Sequence, residues 1–309
     1  MLNIHFAPIQ GYTDSEYRNL HHKLVDGVKS YMTPFIRCDK GELRNKDIRD
    51  ILPENNVGIP LIPQLIAANK DELCTLTDLI LKNHYTAICI NMGCSFPLQT
   101  RIGRGAGILP RIEMVQEVLD AAASYPDVEW IVKMRLGMDL PDECMAILPL
   151  LNDAPLRHII LHPRSGRMSM RGTCDKEAFR AFRESSKHPV MWNGDITTIE
   201  QIHELEKEFP DLPGVMIGRG LLACPTIARE YAEGKEWPDE ERRKVALDMH
   251  DQLFDIFSQT LQGQAQLLAR MQSYWEYQTT IFPRKIYKGL MKAKNIFTYK
   301  DALAEAKSL

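Results

Sequence analysis

Ile88-Cys89-Ile90-Asn91-Met92-Gly93-Cys94-Ser95-Phe96-Pro97 is an apolar run that stops abruptly at small and polar residues. Tyr85 to Ile90 is β-branched and apolar enough for a strand buried on both faces, and Asn91, Gly93 and Pro97 are turn formers that end it. This places Cys94 in a loop just past a strand end. A free cysteine is ordinarily a small core hydrophobe, so the meaning of this thiol depends on what surrounds it.

Outward from that stretch, short apolar runs alternate with helix-patterned segments as far as Tyr231. Strands are expected at 4–9, 28–32, 59–66, 85–90, 130–134, 158–161, 189–192 and 214–217. Helices are expected at 13–23, 71–82, 112–123, 142–151, 176–184, 198–208 and 221–231, and the polar connection at 39–50 has no clear pattern. Repeated strand–helix units imply parallel strands, and eight of them point to a closed (β/α)8 TIM barrel, with an open doubly wound sheet as the alternative. Strand signals stop at Gly234-Lys235-Glu236-Trp237-Pro238. From Arg242 onward Leu253, Phe254, Phe257 and Leu261, then Leu267, Leu268 and Met271, recur at helical spacing. The expected division is a barrel over 1–235 and a smaller all-helical domain over 236–309.

A net charge of −3 excludes a uniformly basic nucleic-acid binder and leaves room only for a local patch. One is available in the run from Phe282 to Lys300, which carries Lys285, Lys288, Lys292 and Lys294 with Tyr287, Phe297 and Tyr299 and no acid. It reads either as a solvated helix face or as an RNA contact. No apolar run approaches the ~18 residues of a membrane span and no leader is visible, so a cytoplasmic location is expected. The seven cysteines are scattered without a C-x-x-C pair, which fits neither a disulfide framework nor a structural zinc site, and no metal is expected.

In a parallel barrel the chemistry gathers at the C-terminal ends of the strands. Here the strands end on Ala7-Pro8-Ile9-Gln10-Gly11, Pro63-Gln64, Asn91-Met92-Gly93-Cys94, Lys133-Met134-Arg135, His162-Pro163-Arg164, Asn193-Gly194-Asp195 and Gly218-Arg219-Gly220. The last two follow strands seven and eight, where barrels often hold a phosphate; glycine lets backbone approach the anion, and Arg219 or Arg164 could add charge. A phosphate-bearing cofactor is therefore expected, with Lys133 lying across the barrel to hold an electron-rich ring. Arg101-Ile102-Gly103-Arg104-Gly105-Ala106-Gly107 lacks the strand–turn–helix setting of a dinucleotide fingerprint. It reads instead as a flexible loop with Arg101 and Arg104 available to nucleic-acid phosphates.

These residues, in this order, resemble the tRNA-dihydrouridine synthase family along essentially the whole chain. Ala7-Pro8-Ile9-Gln10-Gly11-Tyr12-Thr13-Asp14 is similar to the family's A-P-M-x-G-x-T-D, and Asn91-Met92-Gly93-Cys94 to its N-x-G-C-P. Lys133-Met134-Arg135, His162-x-Arg164, Asn193-Gly194-Asp195 and Gly218-Arg219-Gly220 match later blocks. The resemblance implies an FMN barrel with a C-terminal helical domain that uses NADPH to reduce the C5–C6 bond of uridines in tRNA. It implies flavin-binding roles for Pro8, Ile9, Gln10, Gln64, Lys133, His162, Asn193, Gly194, Asp195, Gly218 and Arg219. It also implies uracil contacts at Asn91 and Arg135, and Cys94 as proton donor. Arg101, Arg104, Lys285 and Lys288 would hold tRNA presenting an unpaired loop uridine to a monomeric enzyme. Ser95 in place of the motif's proline, Pro163 and Ser165 in place of G and T around Arg164, and Ile66-Ala67-Ala68 without a glycine depart from the pattern. A flavin barrel acting on a free pyrimidine or other small molecule is the nearest rival reading, and an RNA-binding protein on an inactive barrel is another.

Overall fold

The computed structural model describes residues 1–39, 41–169 and 171–309. Its main sheet is a closed ring of parallel strands. Asn3–Phe6 pairs with Ser30–Met32 on one side and with Gly214–Ile217 on the other, in the register Asn3 opposite Gly214 to Phe6 opposite Ile217. The remaining neighbours are Leu61–Ile62, Gln64–Leu65, Ala87–Met92, Glu129–Gly137, Leu156–Ser165 and Val190–Asn193. Leu61–Ile62 pairs with the second strand and Gln64–Leu65 with Ala87–Met92. They are two halves of one strand broken at Pro63, which has no N–H to give. The nine segments therefore make eight strand positions, and the pairing of first with eighth excludes the open sheet.

Strands four, five and six run further than the apolar pattern indicates. Asn91 and Met92 continue the fourth strand rather than ending it, and Lys133, Arg135, His162 and Arg164 lie within strands five and six. The reason is the period-two alternation of a barrel wall. Ala7, Met32, Ile62, Cys89, Ile131, Ile160, Met191 and Met216 form a small apolar cluster of their own, the plug of the barrel. Two residues further along these strands come Ile9, Gln64, Asn91, Lys133, His162, Asn193 and Gly218, one layer above the plug. The inward face turns polar while the hydrogen-bonded ladder continues, so hydrophobicity stops before the strand does. In that ladder Asn91 lies opposite Lys133, and Arg135 opposite His162.

Helix Ser15–Leu24 is capped by Asp14, Lys70–Lys82 by Asn69, and Ile199–Glu208 by a Thr198–Gln201 capping box. The segment at 39–50 includes a short hairpin, Cys38–Asp39 with Glu42–Leu43, and helix Asn45–Ile51. The expected helix at 221–231 is two helices, Arg219–Ala223 and Ile227–Glu233, ending at Gly234 in the left-handed region.

The C-terminal part consists of helices Asp239–Thr260, Gln264–Trp275, Arg284–Lys292 and Ile296–Lys307. Its core includes His250, stacked on Trp275 at 5.1 Å and bonded to the Tyr299 hydroxyl at 2.6 Å. Tyr299 is buried there, so it is packing rather than an RNA-stacking surface. This part is joined to the barrel by a buried carboxylate. Glu230 is fully buried; Arg242 Nε donates to its Oε1 at 3.0 Å, and the Trp237 backbone N–H donates to its Oε2 at 2.8 Å. Burial pushes the Glu230 carboxyl up, but Arg242, Thr226 and the Trp237 N–H outweigh it and hold it below the usual range.

Removing one partner of such a pair leaves an uncompensated buried charge. Arg242→Met is expected to lower unfolding stability at pH 7 by about 3–5 kcal/mol in urea titrations. A depressed carboxyl contributes above the unfolded value of about 4.3 and loses its contribution as pH falls through the lower folded value. The gap between variant and wild type should therefore close in acid.

Candidate active site

Above the plug, a cavity of about 500 Å³ opens at the C-terminal ends of the strands. Its lining gathers Pro8, Ile9, Lys133, Arg135, His162, Asn193, Gly194, Asp195, Gly218 and Arg219 from strands one, five, six, seven and eight. Three cationic side chains, Lys133, Arg135 and Arg219, face one carboxylate, Asp195.

The charges are arranged unevenly. Asp195 receives Arg164 Nη1 at 2.9 Å and a second bond from Arg164 Nη2, with Arg219 Nη2 at 3.4 Å from Oδ1. Arg164 is thereby committed to Asp195 and to the Gly172 carbonyl, so it is not the loose cation expected for a phosphate. Arg219, one-third exposed at the rim, is better placed for that. Asp195 orients the two arginines. Lys133 has neither a hydrogen bond nor an ion pair among the described residues; burial and the neighbouring Arg135 push its ammonium down to about 8. Arg135 donates Nε–H to the Gly93 carbonyl at 2.9 Å and Nη1–H to Ser165 O at 3.1 Å. Burial and Arg164 lower it to about 10.

His162 Nε2 lies 3.2 Å from Arg164 Nη1. A guanidinium only donates, so Nε2 accepts and the imidazole proton sits on Nδ1. Burial and then Arg135, Lys133 and Arg164 push this histidine down to about 2, which keeps it neutral at any working pH. It is a donor aimed from a fixed tautomer rather than a base.

Cys94 follows the cavity wall at Gly93 and is half-buried. Its loop is set from two sides. Asn91 Oδ1 accepts the N–H groups of Gly93 at 3.0 Å and Cys94 at 2.8 Å, while its Nδ2 donates to Gln64 Oε1 at 2.8 Å. Both ends of the Asn91 amide are thus engaged within the protein, and the side chain orients the thiol loop. Gln64 is fully buried beneath it, bonded also to Met32 Sδ, and does not line the cavity. From the other side the Cys94 carbonyl accepts the Ala106 N–H at 2.9 Å.

The glycine-rich segment is accordingly a compact turn against Cys94 rather than a flexible loop. Arg104 is buried, with Nε 2.9 Å from Glu72 Oε2 and Nη2 2.8 Å from the Cys38 carbonyl. That ion pair removes it from any nucleic-acid phosphate, whereas Arg101 is exposed. Gln10 is also exposed and stands outside the cavity lining, so its expected cofactor contact is not supported. Lys285 pairs with Glu305 at 3.2 Å on the surface, and Lys288 and Lys292 project from the same helix. Sequence reasoning missed Thr197 and Tyr277 in the lining and the exposed apolar Phe96, Leu98 and Ile102 beside Cys94. Phe96 and Leu98 were legible only as large apolar residues after a turn; Tyr277 carried no signal of its barrel contact.

The site is built for an anionic, partly apolar ligand. A Cβ at Gly218 would meet Ile9 Cδ1 at 3.0 Å and Ala7 Cβ at 3.3 Å, narrowing the cavity between strands one and eight. The unpartnered Lys133 and the rim Arg219 supply positive charge at two places, and the volume lies in the range of cofactor sites. These residues fit a flavin mononucleotide.

Fold and site together define a parallel barrel with a cationic cavity at its strand ends and a thiol beside it. A profile described as dihydrouridine synthase (Dus) matches residues 5–307, and the chain belongs to that family. The tRNA-dihydrouridine synthase B of Vibrio parahaemolyticus is 25% identical over 269 residues, covering 84% of this chain and 82% of that protein. A probable tRNA-dihydrouridine synthase of Aquifex aeolicus is 25% identical over 299 residues, 95% of this chain and 89% of that one. Among solved structures, morphinone reductase in complex with tetrahydroNAD matches with a TM-score of 0.55 at 9% identity, over 76% of this chain and 88% of that chain. This last likeness is one of fold.

Gly105 has φ +61, and a Cβ there would lie 2.5 Å from the Cys94 carbonyl oxygen and 2.8 Å from its Cβ. Gly105→Ala is expected to displace the Cys94 loop while sparing the cavity floor. The check is the alkylation rate of Cys94 by iodoacetamide beside flavin content: the rate should change several-fold with flavin retained. An unaltered rate would show that the loop accommodates the methyl group.

Proposed function

We propose that this protein is an FMN-dependent tRNA-dihydrouridine synthase that reduces the C5–C6 bond of uridines in tRNA with NADPH as reductant. The observation that carries this reading is a half-buried thiol set beside a cationic cavity that fits a flavin. Pro8, Ile9, Lys133, His162, Asn193, Gly194, Gly218 and Arg219 would hold FMN, the glycines admitting it closely and the cations meeting its negative charge. Bound there, FMN supplies the hydride that reaches C6 of the uracil.

The protein's own part is to deliver a proton to C5 from the other side. Burial pushes the Cys94 thiol up from its ordinary value, while the Phe96 backbone N–H and then Lys133 and Arg135 pull against that. The thiol therefore stays protonated at neutral pH, as a general acid must. After the proton leaves Sγ, the same two cations stabilise the thiolate until solvent reprotonates it. Asn91 and the Gly105 turn hold the loop in which this happens. Arg135, anchored on Gly93 and Ser165, stands where it can meet the uracil.

A uridine reaching the base of such a cavity must leave its stack, which favours unpaired loop nucleotides over duplex. The exposed Arg101 at the mouth and the basic face of helix Arg284–Lys292 would hold phosphates. On that helix Ile286 and Leu290 are buried while Lys285, Lys288 and Lys292 point outward. Residues 236–309 thus act as the RNA-holding domain.

Cys94→Ala is expected to keep flavin and its reduction by NADPH yet lose uridine reduction, measured by dihydrouridine formed in tRNA. In the wild type the chemical step should be level through neutral pH and fall only above the ordinary thiol value of about 8.5, because a raised pKa moves the loss of the acid upward. Oxidation of the reduced enzyme by free uracil as readily as by tRNA would favour the small-molecule reading instead. For the RNA face, Lys288→Glu with Lys292→Glu is expected to weaken tRNA binding about tenfold or more at low salt, with a shallower salt dependence and unaltered flavin content. Equal affinities would make that helix a solvated face.

A further inference from the structure

Among the described residues lining the cavity, Tyr277 is the only one from beyond residue 235 and the only phenylalanine, tyrosine or tryptophan. The rest of the wall is barrel. Tyr277 reaches it because the end of helix Gln264–Trp275 is fastened to the loop after strand one. Arg270 Nη1 donates to the Gly11 carbonyl at 2.5 Å and its Nη2 to Asp14; the Tyr12 hydroxyl bonds to Glu276. The Tyr12 and Tyr277 rings meet edge to face at 5.1 Å. In the closed ring strand one lies across from strands four and five, which carry Gly93, Lys133 and Arg135. Tyr277 therefore stands on the wall opposite the Cys94 loop.

The same short segment is held from the RNA side. The Tyr287 hydroxyl, on the basic helix, donates to the Glu276 carbonyl at 3.2 Å. Two adjacent residues thus join the basic helix, the first barrel loop and the cavity. We infer that Tyr277 is a specificity-determining residue whose ring packs against the extruded nucleotide at the cavity mouth, so the helical domain completes the active site as well as gripping RNA. The inference rests on the uridine-reducing function proposed above. A tyrosine ring is suited to this because its π-face is sequence-tolerant and its amphipathic body tolerates a half-wet site.

The test compares Tyr277→Ala and Tyr277→Phe with wild type as loaded holoenzymes. Loss of the ring contact is expected to cut kcat/KM for tRNA by roughly 10–100-fold in the alanine variant, while phenylalanine stays within about threefold of wild type. FMN affinity by fluorescence quenching, flavin reduction by NADPH and thermal midpoint should be unaltered in both. The change in flavin absorbance on adding tRNA should survive in the phenylalanine variant and vanish in the alanine one. Wild-type turnover of tRNA by Tyr277→Ala would overturn the inference, as would loss of FMN from that variant, which would make the ring a cofactor wall, or equal impairment of both variants. A wild-type enzyme inert towards tRNA would instead overturn the function on which the inference rests.

Discussion

Lys133 is a cation placed one layer above an apolar plug, and no carboxylate in the described structure meets it. Burying an ammonium without a partner costs free energy, and its pKa of about 8 expresses that cost. The surroundings sharpen it, because Arg135 adds like charge and His162 stays neutral. The acid that could neutralise the site, Asp195, is instead engaged by Arg164 and Arg219. The cavity consequently keeps a positive field that only an anionic ligand relieves, and binding such a ligand adds stability to the folded chain.

The same field governs the thiol. Burial raises the Cys94 thiol, and the Phe96 backbone N–H, Lys133 and Arg135 moderate that. A thiol at a helix N-terminus or beside a charged histidine becomes a standing thiolate and a nucleophile. Here the cavity histidine is held uncharged, and the Phe96 backbone N–H, Lys133 and Arg135 together do not outweigh the burial of the thiol. The net effect is a thiol held above its ordinary value, protonated at neutral pH.

Much of this was legible from periodicity. The eight strand positions and most of the cavity wall follow from alternating apolar runs and from what stands at their ends. The apolar pattern ends strands four, five and six too early because Asn91, Arg135 and His162 are polar. In a barrel whose upper interior is a binding site, the inward face changes character within a continuous ladder. Three other features depend on partners distant in sequence. Arg104 looked available until its ion pair with Glu72 closed, Gln64 and Asn91 proved to bond to each other, and Tyr277 met the barrel only through Tyr12 and Arg270. Local pattern names residue types well, but it does not say which of two polar groups consumes the other.

The two parts of the chain are joined at points that differ in kind. Glu230 with Arg242 is a buried ion pair near the covalent crossing, where it fixes how helix Asp239–Thr260 leaves the barrel. The contacts of Arg270, Glu276 and Tyr277 with Gly11, Tyr12 and Asp14 are partly exposed and lie at the mouth of the cavity. Asp14 belongs to both worlds, since it caps helix Ser15–Leu24 and binds Arg270, while burial raises its carboxyl to about 6. At the cavity mouth the first strand's loop and the helical segment that ends in Tyr277 form one wall, held by Arg270 on Gly11 and by the edge-to-face contact of Tyr12 with Tyr277.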